Sequence, residues 1–230
     1  MSVVDPLHRR IRSFVRREGR MTDGQKMAIE QLWPRYGLDA SALVYDLPKI
    51  FGRKAPVILE IGFGNGEHLL SRAQSEPRHD FIGVEVHRPG VGRVLHHADK
   101  AGLTNLRAAS HDAVELLQQN IADGVLHEIV IYFPDPWHKT RHHKRRLIQP
   151  EFVTLLARKL RRGGYLHLAT DWEDYAHHML EVLGREPALT NTPDAVDGFT
   201  PRPDYRGTSS FERKGLAKGH SVWDLVFIKK

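Results

Sequence analysis

From Pro56 onward, short solid apolar runs alternate with longer mixed segments. Val57-Ile58-Leu59-Glu60-Ile61, Asp80–Val86, Leu106–Ala109, Ile129-Val130-Ile131-Tyr132-Phe133 and Tyr165–Ala169 are rich in β-branched and aromatic residues. Unbroken apolarity over so few positions predicts strands buried on both faces. Between them, Glu67–Ser75, His87–Ala101 (stopped by Gly102), Ala113–Ile121 and Pro150–Leu160 read as helices, with Pro150 at a permitted first-turn position. Gly163-Gly164 turns the last of these into the fifth strand, and Asp171 starts an acidic helix toward Gly184. The remainder is looser and rich in Pro and Gly, with a last strand near Val222–Ile228. Strict alternation of strand and helix predicts an α/β fold, a mostly parallel sheet with helices on both faces. Residues 1–55 read as a basic arm and an irregular lead-in with one helix, Thr22 to Tyr36, ended near Pro34; residues 56–230 form the domain.

Composition narrows the partners rather than the fold. At 230 residues the chain is long enough for a full core, and 40% hydrophobic with 27% charged residues is ordinary for a soluble protein. No apolar run approaches the roughly 18 residues of a membrane span. The basic N-terminus has no apolar stretch behind it, so it is not a secretory signal. The absence of cysteine excludes disulfides and thiolate metal sites and suits a cytoplasmic location. A net charge of +6 and a pI near 9.6 favour an anionic partner. The segment Arg9–Arg20 holds six arginines and one acid, either a solvated face or a phosphate-binding arm.

The turn after the first long strand carries the first candidate chemistry. Glu60-Ile61-Gly62-Phe63-Gly64-Asn65-Gly66 ends a strand and opens a helix, and glycines there let backbone approach a ligand closely. A nicotinamide fingerprint requires a small residue at position 67; Glu67 stands there and would repel a pyrophosphate at the helix start. Acids end the next two strands as well. Glu85 is placed to accept from ribose hydroxyls, and Asp112 from an adenine amino group. An adenosine bearing an amino acid and a sulfonium matches this set, which is S-adenosylmethionine.

The exit of the fourth strand is the second. Pro134-Asp135-Pro136 should keep Phe133 and Asp135 extended and hold the acid at the strand's carboxyl end, where ligands of open α/β sheets bind. Trp137 follows, then Lys139, Arg141, Lys144, Arg145 and Arg146 within eight residues. An acid, an aromatic and a cationic run at one strand end suit a polyanion with a base to be handled. His138 and His142 have the i,i+4 spacing of metal ligands, but the surrounding cations argue against a metal, and none is expected.

The blocks E-I-G-F-G-N-G, G-V-E-V-H, F-P-D-P-W-H-K, A-T-D-W-E-D-Y and F-E-R-K-G…G-H-S-V-W-D-L, spanning residue 57 to the C-terminus, resemble the bacterial tRNA (guanine-N7-)-methyltransferase family, TrmB. The resemblance implies a Rossmann-like class I methyltransferase fold with a seven-stranded sheet. It also implies methyl transfer from S-adenosylmethionine to guanine N7 at position 46 in the tRNA variable loop, by a monomer or homodimer. By the matched motifs, Glu60, Gly62, Gly64, Glu85, Asp112 and Asp135 would hold the cofactor, with Asp135 also catalytic. Lys139, Asp171, Ser209, Ser210, Phe211 and Glu212 would contact substrate. Ser209 and Ser210 stand where the family has Thr and a variable, often charged residue. Ser209 keeps the hydroxyl, and Ser210 offers no ionic partner to substrate. In that setting Lys139 to Arg146 would follow tRNA phosphates, Trp137 either packs or meets the base, and Asp171 either contacts substrate or caps its helix. The rival readings are a methyltransferase for exocyclic amines or protein, against which the acid between the prolines counts, and an RNA-binding protein with a vestigial pocket.

Overall fold

A computed structural model describes residues 20–208, 212–213 and 221–230. Its strands are β1 (Gly37–Leu38), β2 (Val57–Ile61), β3 (Asp80–Val84), β4 (Leu106–Ala109), β5 (Leu126–Tyr132), β6 (Leu160–Thr170), β7 (Leu189–Asn191) and β8 (Trp223–Lys229). They form one sheet in the order β1-β4-β3-β2-β5-β6-β8-β7. Pairing is parallel from β1 through β6, and β8 runs antiparallel between β6 and β7. The sheet therefore has eight strands rather than seven. The extra one, β1, is two residues long, too short to leave a periodic signal.

Seven α-helices have both ends among the described residues: α1 (Asp23–Tyr36), α2 (Leu47–Phe51), α3 (Glu67–Ser75), α4 (Arg88–Lys100), α5 (Ala113–Gln119), α6 (Pro150–Lys159) and α7 (Glu173–Gly184). The period of two along each strand sorts the core. Ile58, Phe81 and Val130 pack with Leu69, Val91 and Leu95 of α3 and α4. Their neighbours Leu59, Ile82 and Ile129 pack with Leu116, Phe152, Leu156 and Tyr175 of α5, α6 and α7 on the opposite face. Both faces are thus covered, as the unbroken apolar runs require.

Several boundaries differ from the sequence expectation, each for a local reason. Helix α1 opens on a capping box between Thr22 and Gln25 and runs through Pro34 to Tyr36. Pro34 falls in the last turn, where only one intrahelical bond is lost. The lead-in is tied to the domain: Arg35 Nη1 donates to Asp99 at 3.0 Å on α4, and β1 pairs with β4. Strand β3 stops at Val84, before the expected Val86, because the Glu85 carboxylate accepts from the Val86 and His87 backbone N–H groups and removes them from the ladder. Strand β6 begins at Leu160 directly after α6. Gly163 and Gly164 make a bulge within it, since Leu126 faces Leu160 but Glu128 faces Tyr165.

Register aligns the strand ends that matter. Ile61 faces Val84 and Ile131, Val84 faces Ala109, and Tyr132 faces Ala169. The segments that follow β2, β3, β4, β5 and β6 all leave from one edge of the sheet. That edge is the carboxyl edge where ligands bind in open α/β folds.

Candidate active site

Gly62, Gly64 and Gly66 in the turn after β2 all have positive φ, at 75°, 56° and 74°. Only glycine adopts three such angles in five residues without strain. The turn is also pressed from behind: a Cβ at Gly66 would lie 2.0 Å from Val94 Cγ2, and one at Gly90 would lie 2.1 Å from the Gly64 oxygen. On the other side nothing lies within 4 Å of a Cβ at Gly62 or Gly64, so the backbone is open where a ligand would sit.

A cavity of about 290 Å³ opens on this turn, lined among others by Glu60, Gly62, Gly64, His68, Tyr132, Phe133, Arg206 and Glu212. Glu60 Oε2 lies 2.8 Å from His68 Nδ1, and the two side chains are only 7% and 11% exposed. Nε2, across the His68 ring, is buried with no hydrogen-bond partner. Glu85 braces the turn, its Oε2 accepting from Gly64 N–H at 2.9 Å. Asp112 caps α5 through Oδ1, accepting from the Val114 and Glu115 N–H groups at 2.8 and 3.1 Å. A larger cavity of about 610 Å³ lies at the opposite, amino edge of the sheet, where Arg53 pairs with Asp80 and Arg161 with His127. It touches none of the acids at the strand ends.

The loop after β5 departs from the expectation for a residue before proline. Phe133 has φ of 50° instead of being extended, and Trp137 has φ of 48°. Two such angles cost on the order of 1–3 kcal/mol each and persist only where the surroundings impose them. Here the surroundings are visible. Phe133 N–H donates to the Ala169 carbonyl at 2.8 Å, and Arg146 Nε donates to the Pro136 carbonyl at 2.9 Å. Between these anchors Asp135 is exposed, without a hydrogen bond among the described residues.

The basic run divides in a way its sequence does not show. Thr140–Arg145 form a 3₁₀ turn capped by Lys139, and Lys139, Arg141 and Lys144 are exposed. Arg146, expected to follow phosphates, is instead buried. It donates to Asp174, pairs with His143 Nε2 at 3.0 Å and stacks on Tyr175 at 4.7 Å. The hydrogen bond from Arg146 holds the Asp174 carboxyl below the usual carboxylate range. Trp137 packs beneath Arg145 at 5.1 Å, its indole Nε1 buried and unpaired. His142 and His138 meet Trp137 and Trp172 edge-on. Asp171 lies between the end of β6 and Trp172, the N-cap of α7, whose side chain makes no cap bond. Among the described residues no three His, Asp or Glu side chains are arranged to hold a metal.

Sequence reasoning missed the buried network beside this loop. Arg206, 1% exposed, binds Glu212 through two hydrogen bonds of 2.8 and 2.9 Å and Asp224 through one of 2.9 Å. Asp224 in turn lies 2.8 Å from His167 Nε2, and His167 Nδ1 lies 2.8 Å from the Tyr132 hydroxyl and 3.0 Å from that of Tyr205. Burial pushes the His167 imidazole down against the pull of Asp224 and pushes the Tyr132 hydroxyl up. A neutral ring donates from Nε2 to Asp224 and has one lone pair at Nδ1, which the Tyr132 and Tyr205 hydroxyls share. Glu212, expected to meet substrate, is therefore one wall of the cavity held by Arg206. Ser209, Ser210 and Phe211 lie outside the described residues, as do residues 1–19 of the basic arm.

S-adenosylmethionine suits these residues. Acceptors stand at the ends of β2, β3 and β4, open glycine backbone lies between them, and an orphaned imidazole nitrogen lines the cavity. The sheet order and the glycine turn define a methyltransferase of the Rossmann-like class I type. Residues 54–225 match the family model described as "Putative methyltransferase". Similar solved structures include the 16S rRNA methyltransferase KamB, at 17% identity and a TM-score of 0.55 over 85% of this chain and 99% of that one. Another is the 30S ribosomal A1408 methyltransferase from an uncultured bacterium, at 15% identity and 0.57 over 84% and 96%. At such identities the likeness concerns the fold. Curated relatives are far more similar in sequence. Two named tRNA (guanine-N(7)-)-methyltransferase, from Idiomarina loihiensis and Cupriavidus necator, are 57% and 54% identical over 95% and 96% of this chain and 89% and 84% of theirs. The chain belongs to the tRNA (guanine-N7-)-methyltransferase family.

Proposed function

We propose that this protein transfers the methyl group of S-adenosylmethionine to N7 of a guanine in tRNA, at position 46 of the variable loop. The observation that carries the reading is Asp135, held exposed between two strained residues at the strand edge that also bears Glu60, Glu85 and Asp112. The names of its relatives support the choice of tRNA and of N7.

The donor supplies an electrophilic methyl group on a cationic sulfur. Guanine N7 has a lone pair and no proton, so the protein needs no general base. Its work is alignment of N7 with the methyl carbon and stabilisation of the charge that grows on the purine. Asp135 either places a carboxylate beside that charge or accepts hydrogen bonds from the guanine amide and amino edge. Lys139, Asp171 and the segment Ser209 to Glu212 would position the nucleotide. The protein would act in the cytoplasm as a monomer or homodimer; no helix among the described residues is long and apolar enough to cross a membrane.

The exposed cations should follow the tRNA backbone, and the buried one should not. Charge reversal at Arg141 and Lys144 is expected to lower the slope of log affinity against log salt by roughly 0.7–0.9 for each phosphate no longer neutralised. It should leave the unfolding temperature within about 2 °C. Arg146→Glu, which sets a carboxylate against Asp174 in a buried position, is expected to cost roughly 3 kcal/mol or more of stability. Filter binding at several salt concentrations alongside thermal unfolding separates the two effects. An unchanged slope in the Arg141/Lys144 variant would remove that turn from the RNA interface.

The direct test is methyl transfer from labelled S-adenosylmethionine to unmodified tRNA transcripts, mapped by borohydride–aniline cleavage. One cut in the variable loop is the expected result. Label without a cut would refute the N7 assignment, and no label in any tRNA would refute the enzyme reading.

A further inference from the structure

The Glu60–His68 pair contains an unsatisfied half. Glu60 is the next-to-last residue of β2, His68 lies in the first turn of α3, and one carboxylate oxygen meets His68 Nδ1 at 2.8 Å. Nδ1 is thereby the protonated nitrogen facing Glu60. Nε2 is buried, without a partner, on a ring that lines the cavity above the glycine turn. A buried polar nitrogen without a partner costs on the order of 1–3 kcal/mol, which a ligand at that point would recover.

The sheet order says which part of the donor lies there. With the adenine toward Asp112 beyond β4 and the ribose toward Glu85 beyond β3, the amino-acid end falls over β2 and β5, where Glu60, His68 and Tyr132 face the cavity. That end is a zwitterion and needs an acceptor for its ammonium and a donor for its carboxylate. Glu60 is the acceptor. The other charged groups lining the cavity are Glu67, Glu212 and Arg206, and Arg206 is already held by Glu212 and Asp224.

We infer that His68 binds the α-carboxylate of S-adenosylmethionine through Nε2–H while Glu60 accepts from the α-ammonium. This rests on the donor assigned under the proposed function. With Nδ1–H donated to Glu60, Nε2 donates only as the imidazolium, the form in which both ring nitrogens carry protons. Glu60, imidazolium and zwitterion then sum to no net charge in the cavity, which suits a partly buried site.

The test measures calorimetric affinity for two ligands, S-adenosylhomocysteine and its decarboxylated analogue 5′-S-(3-aminopropyl)-5′-thioadenosine. Wild type, His68→Ala and His68→Gln are compared. Wild type should prefer the carboxylated ligand by roughly ten- to a hundredfold, the range of one charge-assisted hydrogen bond. His68→Ala should reduce that preference to within about threefold by weakening only the carboxylated ligand, and His68→Gln should retain part of it. Nitrogen-15 spectra of wild type with S-adenosylhomocysteine should show both His68 ring nitrogens protonated, a readout that stands even if a variant fails to fold. A wild-type preference surviving in His68→Ala, or an unprotonated Nε2 in the complex, overturns the inference and leaves the donor assignment intact. Failure of wild type to bind S-adenosylhomocysteine at all overturns the donor assignment and the inference with it.

Discussion

Asp135→Asn is expected to lower the rate of methyl transfer to tRNA by two to three orders of magnitude while leaving affinity for S-adenosylhomocysteine within about tenfold. The change is nearly isosteric, so it removes charge and little else. An electrostatic group aimed at developing charge contributes on the order of 3–4 kcal/mol, and each 1.36 kcal/mol is a factor of ten in rate. Such an effect requires the carboxylate to be in place before the reaction, and the loop supplies that. Phe133 and Trp137 hold left-handed angles, Phe133 N–H is tied to the Ala169 carbonyl and the Pro136 carbonyl to Arg146, and two prolines flank the acid. Cofactor affinity should change little, because Glu60, Glu85 and Asp112 come from other strands. Single-turnover methyl transfer at saturating tRNA, with calorimetry for the cofactor product, reads both quantities. Activity within tenfold of wild type would remove Asp135 from the chemistry.

What the sequence disclosed depended on how local the information was. Strands β2, β3 and β5 announced themselves because a strand covered on both faces is apolar throughout, and the glycine turn because its angles admit no other residue at so many positions. The acids at strand ends followed from topology alone. The basic run misled at Arg146, since a line of cations does not reveal which one turns inward toward Asp174 and Tyr175. Phe133 misled because the pre-proline preference is a local energy of modest size, overridden by its bond to Ala169. His68 carries no motif or periodic signal; its significance lies in one atom without a partner. The Arg206 network was out of reach for the opposite reason. Arg206 meets Asp224 from 18 residues away, and Asp224 meets His167 from 57. A single arginine in a Pro- and Gly-rich stretch gives no periodic or motif signal.

Arg206→Ala should be the most destabilising single change in this region. The guanidinium lies over the Tyr132 and Phe133 rings at 5.8 and 6.0 Å, which couples the C-terminal segment to the end of β5 and the loop that carries Asp135. Its removal leaves Glu212 and Asp224, buried at 3% and 2% exposure, without their nearest cation, Glu212 keeping only Arg202 at 3.8 Å. Breaking a buried pair in this way typically costs about 3–5 kcal/mol, because an uncompensated charge stays behind. At roughly 2–4 °C per kcal/mol for a chain of this size, the unfolding temperature should fall by about 10 °C. Removing the packing of a large side chain would give a fall of similar size, so the single variant does not identify the cause. The double variant Arg206→Met, Glu212→Gln does. It fills the space, neutralises one of the two buried acids and leaves Asp224 its contact with His167. If stranded charge is the cause, the double variant should regain more than half of the missing stability in thermal unfolding followed by circular dichroism. It should still methylate tRNA poorly, because Glu212 then no longer presents a carboxylate to the site. A double variant as unstable as Arg206→Ala would show that the network holds the segment by shape and not by charge.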